Sequence, residues 1–348
     1  MKNKKTYHKP LLALLVLALF GQGCEKASDD EISTLKTKVA NVSSAPNITV
    51  STVAEVDSKD HLADVAFNLV DSSIYLASNF SFQGIYKRDS KGMISKFVGS
   101  CNNNLSDGVG SAAGLGGGIT ALSINSSGVL YVTEGGIGRI RKVTPDAVVS
   151  TIAFDNANMK GSFQNVLLAD GSLLVTVNDR HQIVKVKPDG TITAFAGSGQ
   201  QGNSDGTVLT AKFWNPVGLV QDNDGTIYVS DDGNSNIRKI SPDGNVTTLA
   251  GGGEFGFADG VGTTVKFWQI GLMALSPDGY LYVVDRANYR IRRVSKSTGE
   301  VITIAGSEYG DKDGSGTEAK FGFINGIKYF DGALYVTDEN KLKKISFN

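Results

Sequence analysis

The feature that most constrains the fold of this chain is a unit of four short apolar segments, which recurs six times between residue 47 and the C-terminus. In its clearest copy, residues 213–251, the segments are rich in β-branched residues and are separated by Asp-Gly and Pro-Asp-Gly turns. Such turns join antiparallel strands, so each copy predicts a four-stranded meander. The second-strand position recurs at intervals of 56, 43, 54, 54 and 53 residues, at Tyr75, Tyr131, Leu174, Tyr228, Tyr282 and Tyr335.

Six meanders in succession predict an all-β fold, a six-bladed β-propeller over residues 47–348. The last unit ends at Asn348 without a fourth strand, whereas residues 48–54 resemble the fourth strand of the unit at 213–251. An open ring would leave two unpaired strand edges. We therefore expect the N-terminal strand to complete the last blade and close the ring.

The repeat resembles that of NHL-repeat proteins over residues 47–348. The resemblance is carried by three motifs, whose best copies are Gly225-x-Ile227-Tyr228-Val229-x-Asp231, Asn236-x-Arg238-Lys239-Ile240 and Ala250-Gly251. A second copy, from Gly279 to Gly306, matches almost as well, and the third blade departs from the pattern at Leu174 and Asn178. The resemblance implies an NHL-type propeller. It does not imply one function, because such propellers include enzymes, RNA binders and protein-binding scaffolds.

The first 24 residues are typical of an export signal. Four lysines precede the apolar run 11–20, which is too short to span a bilayer. The run is followed by Gly21-Gln22-Gly23-Cys24. Small residues before a cysteine resemble the lipobox of bacterial lipoproteins, which implies a signal peptide at 1–23 and lipid on Cys24. Residues 24–46 are then predicted to be the lipidated cysteine and a flexible tether. We expect an outer-membrane lipoprotein of the cell envelope, either periplasmic or surface-exposed.

Charge and cysteine content narrow the possible partners. Removing residues 1–23 leaves 30 basic and 35 acidic residues, a net charge of −5, which disfavours nucleic acid as a partner. If Cys24 carries lipid, Cys101 has no second cysteine with which to form a disulfide. No other apolar run of the sequence approaches membrane-spanning length, so we expect the membrane to be contacted through the lipid alone.

Acidic and amide residues at strand ends are candidate metal ligands. Glu134, Asn178, Asp231 and Asp285 are of the types that a calcium-class ion prefers, and the resemblance allows a lactonase-like site built from them. The alternative is that each caps its own turn, as residues that recur in nearly every blade commonly do. The basic residues that also recur once per blade are predicted to pack between blades and to pair with these acids.

The segment Asp311–Glu318 superficially resembles a calcium loop, but Ser315 and Gly322 stand where two further ligands are needed. We interpret it as a repeated turn. With only three histidines in the chain, a zinc site of the kind found in amidating lyases is disfavoured.

Trp214 and Trp268 occupy equivalent positions 54 residues apart, where the last blade has Gly322. They either stack on a ligand or pack beneath the long loops. Arg180, His181 and Arg286 are further candidate ligand-binding residues on the same face. The connection 153–163 lacks the Asp-Gly insertion of its four counterparts, which predicts a notch between blades two and three and a rim raised by the other four connections. A ligand that enters at the notch would pass over Asn156, Asn158, Lys160 and Gln164.

Two functions therefore remain open. We expect a binding or scaffold module for a glycan, a peptide or an envelope protein, with its site on the loop-bearing face. The alternative is a metal-dependent lactonase-like or lyase-like hydrolase with its site at the mouth of the central channel. The first is favoured because no nucleophile and base can be identified as a pair in the sequence.

Overall fold

The computed structural model describes residues 47–100, 105–116 and 118–348. The predicted signal peptide, Cys24, the tether and Cys101 lie outside these residues. Among the residues described, no helix has the length and apolar character needed to cross a membrane.

The described chain forms six antiparallel sheets, which are the six predicted blades. Blade one contains β2 to β5, Asp60–Phe67, Ile74–Phe80, Gln83–Arg88 and Ile94–Ser100. Blade two contains β6 to β10, Gly108–Val109, Ile119–Ile124, Leu130–Glu134, Arg139–Val143 and Val148–Phe154. Blade three contains β11 to β14, Ser162–Leu167, Leu173–Val177, Gln182–Val186 and Ile192–Ala196.

Blade four contains β15 to β19, Gly206–Thr207, Pro216–Gln221, Ile227–Asp231, Asn236–Ile240 and Asn245–Gly251. Blade five contains β20 to β24, Gly260–Val261, Ile270–Leu275, Tyr280–Asp285, Arg290–Ser295 and Glu300–Ala305. Blade six contains β25 to β28, Gly314–Ser315, Ile324–Phe330, Ala333–Asp338 and Lys341–Phe347, together with β1, Ile48–Glu55.

The ring is closed by the N-terminal strand, as the sequence predicts. β1 pairs antiparallel with β28 from Ile48 opposite Phe347 to Glu55 opposite Lys341. Its inward-facing residues Val50 and Ala54 are buried in two of the hydrophobic clusters. The first and last strands of the domain therefore share one sheet.

Side-chain hydroxyls on the second strands tie neighbouring blades together around the axis. Thr176 donates to the carbonyl of Val217 at 2.8 Å, and Ser230 donates to the carbonyl of Gly271 at 2.7 Å. Each of these two residues lies one position before the end of its strand, beside the inner strand of the next blade. Buried hydrogen bonds of this kind fix the inner strands relative to one another.

The four Asp-Gly connections differ from the expected raised rim. Each contributes a two-residue strand that pairs with the outermost strand of the following blade, as Gly206 does with Val246. They therefore cover the outer edge of the propeller. The connection between blades two and three has no such strand, and a one-turn helix, Asn156–Met159, replaces it.

Candidate binding face

The second-to-third-strand turns and the connections between blades emerge together on one face, here called the loop-bearing face. In blade four, Asp231 lies at the point where a strand reaches this face. Its carboxylate accepts a hydrogen bond from the amide of Trp214 at 2.7 Å and another from the side chain of Asn234 at 2.7 Å. Arg238, on the next strand, lies 3.3 Å from the same carboxylate and 2.7 Å from Asp205. Asp231 thus joins the incoming segment, the turn and the third strand.

Three other blades repeat this arrangement. In blade five, Asp285 accepts from the amide of Trp268 at 2.9 Å and pairs with Arg292 at 2.5 Å. In blade two, Glu134 pairs with Arg139 at 2.5 Å and with Arg141 at 3.3 Å. In blade six, Asp338 accepts from the amide of Gly322 at 2.8 Å and faces the buried Lys343. The prediction that the repeated basic residues pair with turn acids is confirmed at Arg141, Arg238, Arg292 and Lys343.

Burial controls the protonation of these acids. It raises the pKa of Asp231 to about 6 and that of Asp338 to about 7, although the nearby arginine or lysine acts in the opposite direction. Burial also raises the pKa of Asp285. Burying a carboxylate is costly because the charge loses its contact with water. The several hydrogen bonds that each of these carboxylates accepts offset part of that cost.

The four candidate metal ligands lie in four different blades. Glu134, Asp231 and Asp285 each contact the arginine of the same blade, and Asn178 begins the turn after β12. Within residues 47–100, 105–116 and 118–348, no group of three or more His, Cys, Asp and Glu side chains is placed to hold a metal ion. In the segment that resembles a calcium loop, Asp311 pairs with Lys341 and Lys343.

The two tryptophans have different environments. Trp214 is half-buried and packs over Gly233, where an added Cβ would come within 2.4 Å of its ring. Trp268 is 48% exposed at the equivalent position of the next blade. Trp214 therefore packs against the second-to-third-strand turn of its own blade, whereas Trp268 is accessible to a ligand.

The other candidate residues are dispersed over the loop-bearing face. Arg180 is exposed, and the Nδ1 atom of His181 accepts a hydrogen bond from the amide of Asn215 at 3.2 Å. Arg286 is half-buried, and burial lowers its pKa while the carboxylate of Asp232 opposes the shift. Gln164, expected at the notch, is instead buried and accepts from the amide of Leu219 at 2.6 Å. It links two inner strands, so a ligand crossing the notch would not contact it.

The central channel contains a cavity of about 370 Å³ near the ends of the inner strands that lie away from the loop-bearing face. All six blades contribute to its lining, including Gln164 and Lys328. Lys328 pairs with the buried Asp64 at 3.0 Å, and the same carboxylate accepts from the amide of Leu122 at 2.9 Å. Burial raises the pKa of Asp64. These polar contacts brace the channel between blades one, two and six.

A row of aromatic side chains on the loop-bearing face was not predicted from the sequence. It consists of Tyr289, Tyr309, Phe323, His61 and Phe80, and is called the aromatic strip below. Successive ring centroids are separated by 5.5, 6.1, 6.4 and 4.5 Å. Its members come from blades five, six and one, so residues 61 and 80 meet residues 289–323 only because the ring is closed.

The fold and the repeat define the class of protein. The NHL repeat matches residues 213–240, which form the inner three strands of blade four. This chain is thus a six-bladed β-propeller with an NHL repeat.

Relatives by sequence include human NHL repeat-containing protein 2, 33% identical over 170 residues, which are 43% of this chain and 23% of the relative. Another is the Arabidopsis thaliana protein SUPPRESSOR OF QUENCHING 1, chloroplastic, 30% identical over 181 residues, which are 48% of this chain and 17% of the relative. The chain therefore spans less than a quarter of the length of either protein.

Solved structures with a similar fold have diverse descriptions. An auxiliary nutrient binding protein from Bacteroides thetaiotaomicron superposes with a TM-score of 0.63 at 15% identity, over 86% of this chain and 76% of the other. A streptogramin B lyase superposes with a TM-score of 0.58 at 15% identity, over 87% of this chain and 98% of the other. At this level of identity the similarity concerns the fold alone.

Proposed function

We propose that this protein is an exported, lipid-anchored propeller that binds a glycan, a peptide or a partner protein through its loop-bearing face, as a binding or scaffold module. The observation that carries the proposal is the distribution of exposed aromatic residues. Among the residues described, the exposed Phe, Tyr and Trp side chains all lie on connections between blades or at strand ends on that face: Phe80, Phe154, Phe255, Phe257, Trp268, Tyr309 and Phe323.

The opposite face and the perimeter have a different composition. Their exposed apolar residues are aliphatic, such as Leu69 and Val70 in a first-to-second-strand turn and Met93 in a third-to-fourth-strand turn. Aromatic residues are enriched at binding surfaces, where each buries a large apolar area. A surface that concentrates them on one face favours recognition at that face.

The hydrolase alternative is disfavoured by the contacts of its candidate acids. Glu134, Asp231 and Asp285 are buried and paired with arginines. Each would have to leave its partner before it could bind an ion or a substrate, and breaking one buried pair costs about 3–5 kcal/mol. The binding proposal requires no such rearrangement.

A steric block on each face tests this proposal. Glu254→Cys on the loop-bearing face and Leu69→Cys on the opposite face, both in a background that carries Cys24→Ser and Cys101→Ser, are coupled to a maleimide-polyethylene glycol. Both sites are exposed, and the surface ion pair of Glu254 with Lys266 contributes little to stability. Binding to a panel of neutral polysaccharides and to a random-peptide library is then measured for the full chain.

We expect the polymer at position 254 to weaken binding at least tenfold, about 1.4 kcal/mol, and the polymer at position 69 to leave it unchanged. Binding that is blocked only from position 69 would contradict the proposal. Unlabelled Glu254→Cys serves as the matched control for the substitution itself.

The proposed anchor has a separate test. Cys24→Ser should move the protein from the detergent-soluble membrane fraction into the soluble fraction, because acyl chains on Cys24 are the expected attachment. Fractionation followed by immunoblotting measures the shift, and Cys101→Ser is the control that should remain with the membrane. A Cys24→Ser protein that still partitions with membranes would refute lipid anchoring at this cysteine.

A further inference from the structure

The aromatic strip is an exposed surface that no other part of the described propeller covers. Phe80 is 66% exposed, Tyr309 56% and Phe323 52%, although apolar side chains of this size are usually buried in a soluble domain. Together they form a contiguous apolar patch, which is typical of an interaction site.

The strip arises where blade six departs from the repeat. Blades four and five have Trp214 and Trp268 at the position that Gly322 occupies in blade six. An added Cβ on Gly322 would lie 2.4 Å from the carboxylate of Glu339, so this acid takes the space above the glycine. The next residue is Phe323, where the other two blades have Asn215 and Gln269. Blade six therefore has a carboxylate beside an exposed phenylalanine where the other two blades have a tryptophan followed by an amide side chain.

Polar groups lie directly beside the exposed rings. The hydroxyl of Tyr309 donates to the Oε1 atom of Glu339 at 3.4 Å, and the Glu339 charge raises the pKa of Tyr309. The imidazole of His61 lies between Phe323 and Phe80. A hydroxyl, an imidazole and a carboxylate thus lie within or directly beside the strip.

We propose that the aromatic strip binds a neutral glycan chain, an inference that rests on the proposed binding function and specifies its site and ligand class. The face of an aromatic ring carries partial negative charge, which matches the weakly positive C–H groups on the face of a sugar ring. Glu339 supplies acceptor oxygens for sugar hydroxyls. The carboxylate of Glu339, which is hydrogen-bonded to Tyr309, would repel a negatively charged ligand, so it disfavours an anionic glycan.

The test is affinity electrophoresis of the full chain in native gels containing starch, mixed-linkage β-glucan, xylan or galactomannan. We expect at least one polysaccharide to retard the wild-type protein. Tyr309→Ala and Phe323→Ala should each weaken that binding about tenfold, since each removes one stacking surface. Both residues are exposed, so unchanged melting temperatures would show that folding is intact.

Met93→Ala is the control. Met93 is 66% exposed, as much as Phe80, but it lies in a third-to-fourth-strand turn on the opposite face. We expect Met93→Ala to bind like the wild type. Binding should also be insensitive to salt between about 0.05 and 0.5 M, because a neutral ligand forms no ion pairs.

The outcomes separate this inference from the broader proposal. If none of the four polysaccharides retards the protein, or if a salt-sensitive peptide is bound instead, the glycan inference is overturned. A second outcome is a polysaccharide that binds equally well to the wild type, Tyr309→Ala and Phe323→Ala and yet is blocked by the polymer at position 254. That result would overturn the assignment of the site to the strip and would still support binding at the loop-bearing face. A block from position 69 alone would overturn both.

Discussion

Replacing Arg238 with methionine is expected to destabilise the propeller by about 3–5 kcal/mol, because it leaves Asp231 buried without its counter-charge. Arg238 is fully buried, pairs with Asp205 and Asp231, and donates to the carbonyls of Lys212 and Ser204. Methionine fills a similar volume but satisfies none of these groups. The measurement is the free energy of unfolding in denaturant for the full chain.

The loss should depend on pH. The pKa of Asp231, already about 6 because of burial, rises further when the guanidinium is removed. A carboxyl group whose pKa is raised on folding contributes stability at low pH that is lost as the pH rises through the folded value. Because the variant has the higher folded pKa, we expect a larger destabilisation at pH 8 than at pH 5.

Lys239→Met is the matched control, since Lys239 is the next residue along the same strand, is only half-buried and faces the other side of the sheet. It should change stability by less than about 0.5 kcal/mol. Equal losses for the two variants, or a loss at Arg238 that does not vary with pH, would contradict the role given to the buried pair.

Deleting residues 47–55 is the second change with a large expected effect. It removes β1, with its ladder to β28, its buried Val50 and Ala54, and the hydrogen bond from the amide of Thr52 to Asp313 at 2.6 Å. The edges of β28 and β25 would then be unpaired. We expect aggregation, or a melting temperature lowered by more than about 10 °C.

Deletion of residues 25–42 is the control, because this segment is predicted to be tether. Melting curves and light scattering of the two truncations provide the comparison. Equal melting temperatures would show that β1 is not needed to close the ring.

The sequence predicted the fold well because the repeat is local. Each blade is a run of adjacent strands joined by tight turns, so the four-segment pattern and the Asp-Gly turns are sufficient to identify it. The closing strand was also predictable, since residues 48–54 copy a segment that the last blade lacks. Pairing of Arg238 and Arg292 with turn acids followed from their recurrence once per blade.

The candidate binding site was less predictable because it depends on contacts between distant residues. His61 and Phe323 are 262 positions apart and meet only across the closed ring. The sequence feature that could have indicated this site is the departure of blade six from the repeat at Gly322 and Phe323. It is easily overlooked because the rest of the blade follows the repeat. The burial of Gln164 was missed for a related reason. Its partner, the amide of Leu219, belongs to the next blade.

Hydrogen exchange of the full chain, with and without a bound polysaccharide, tests the central claim most directly. Peptides that contain Phe80, Tyr289, Tyr309 and Phe323 should exchange more slowly in the bound protein, since ligand contact stabilises the turns of the loop-bearing face. Peptides from the opposite face, such as those containing Leu69 and Met93, should not change. Protection confined to the turns at Leu69 and Met93 would contradict the claim that the loop-bearing face is the binding face.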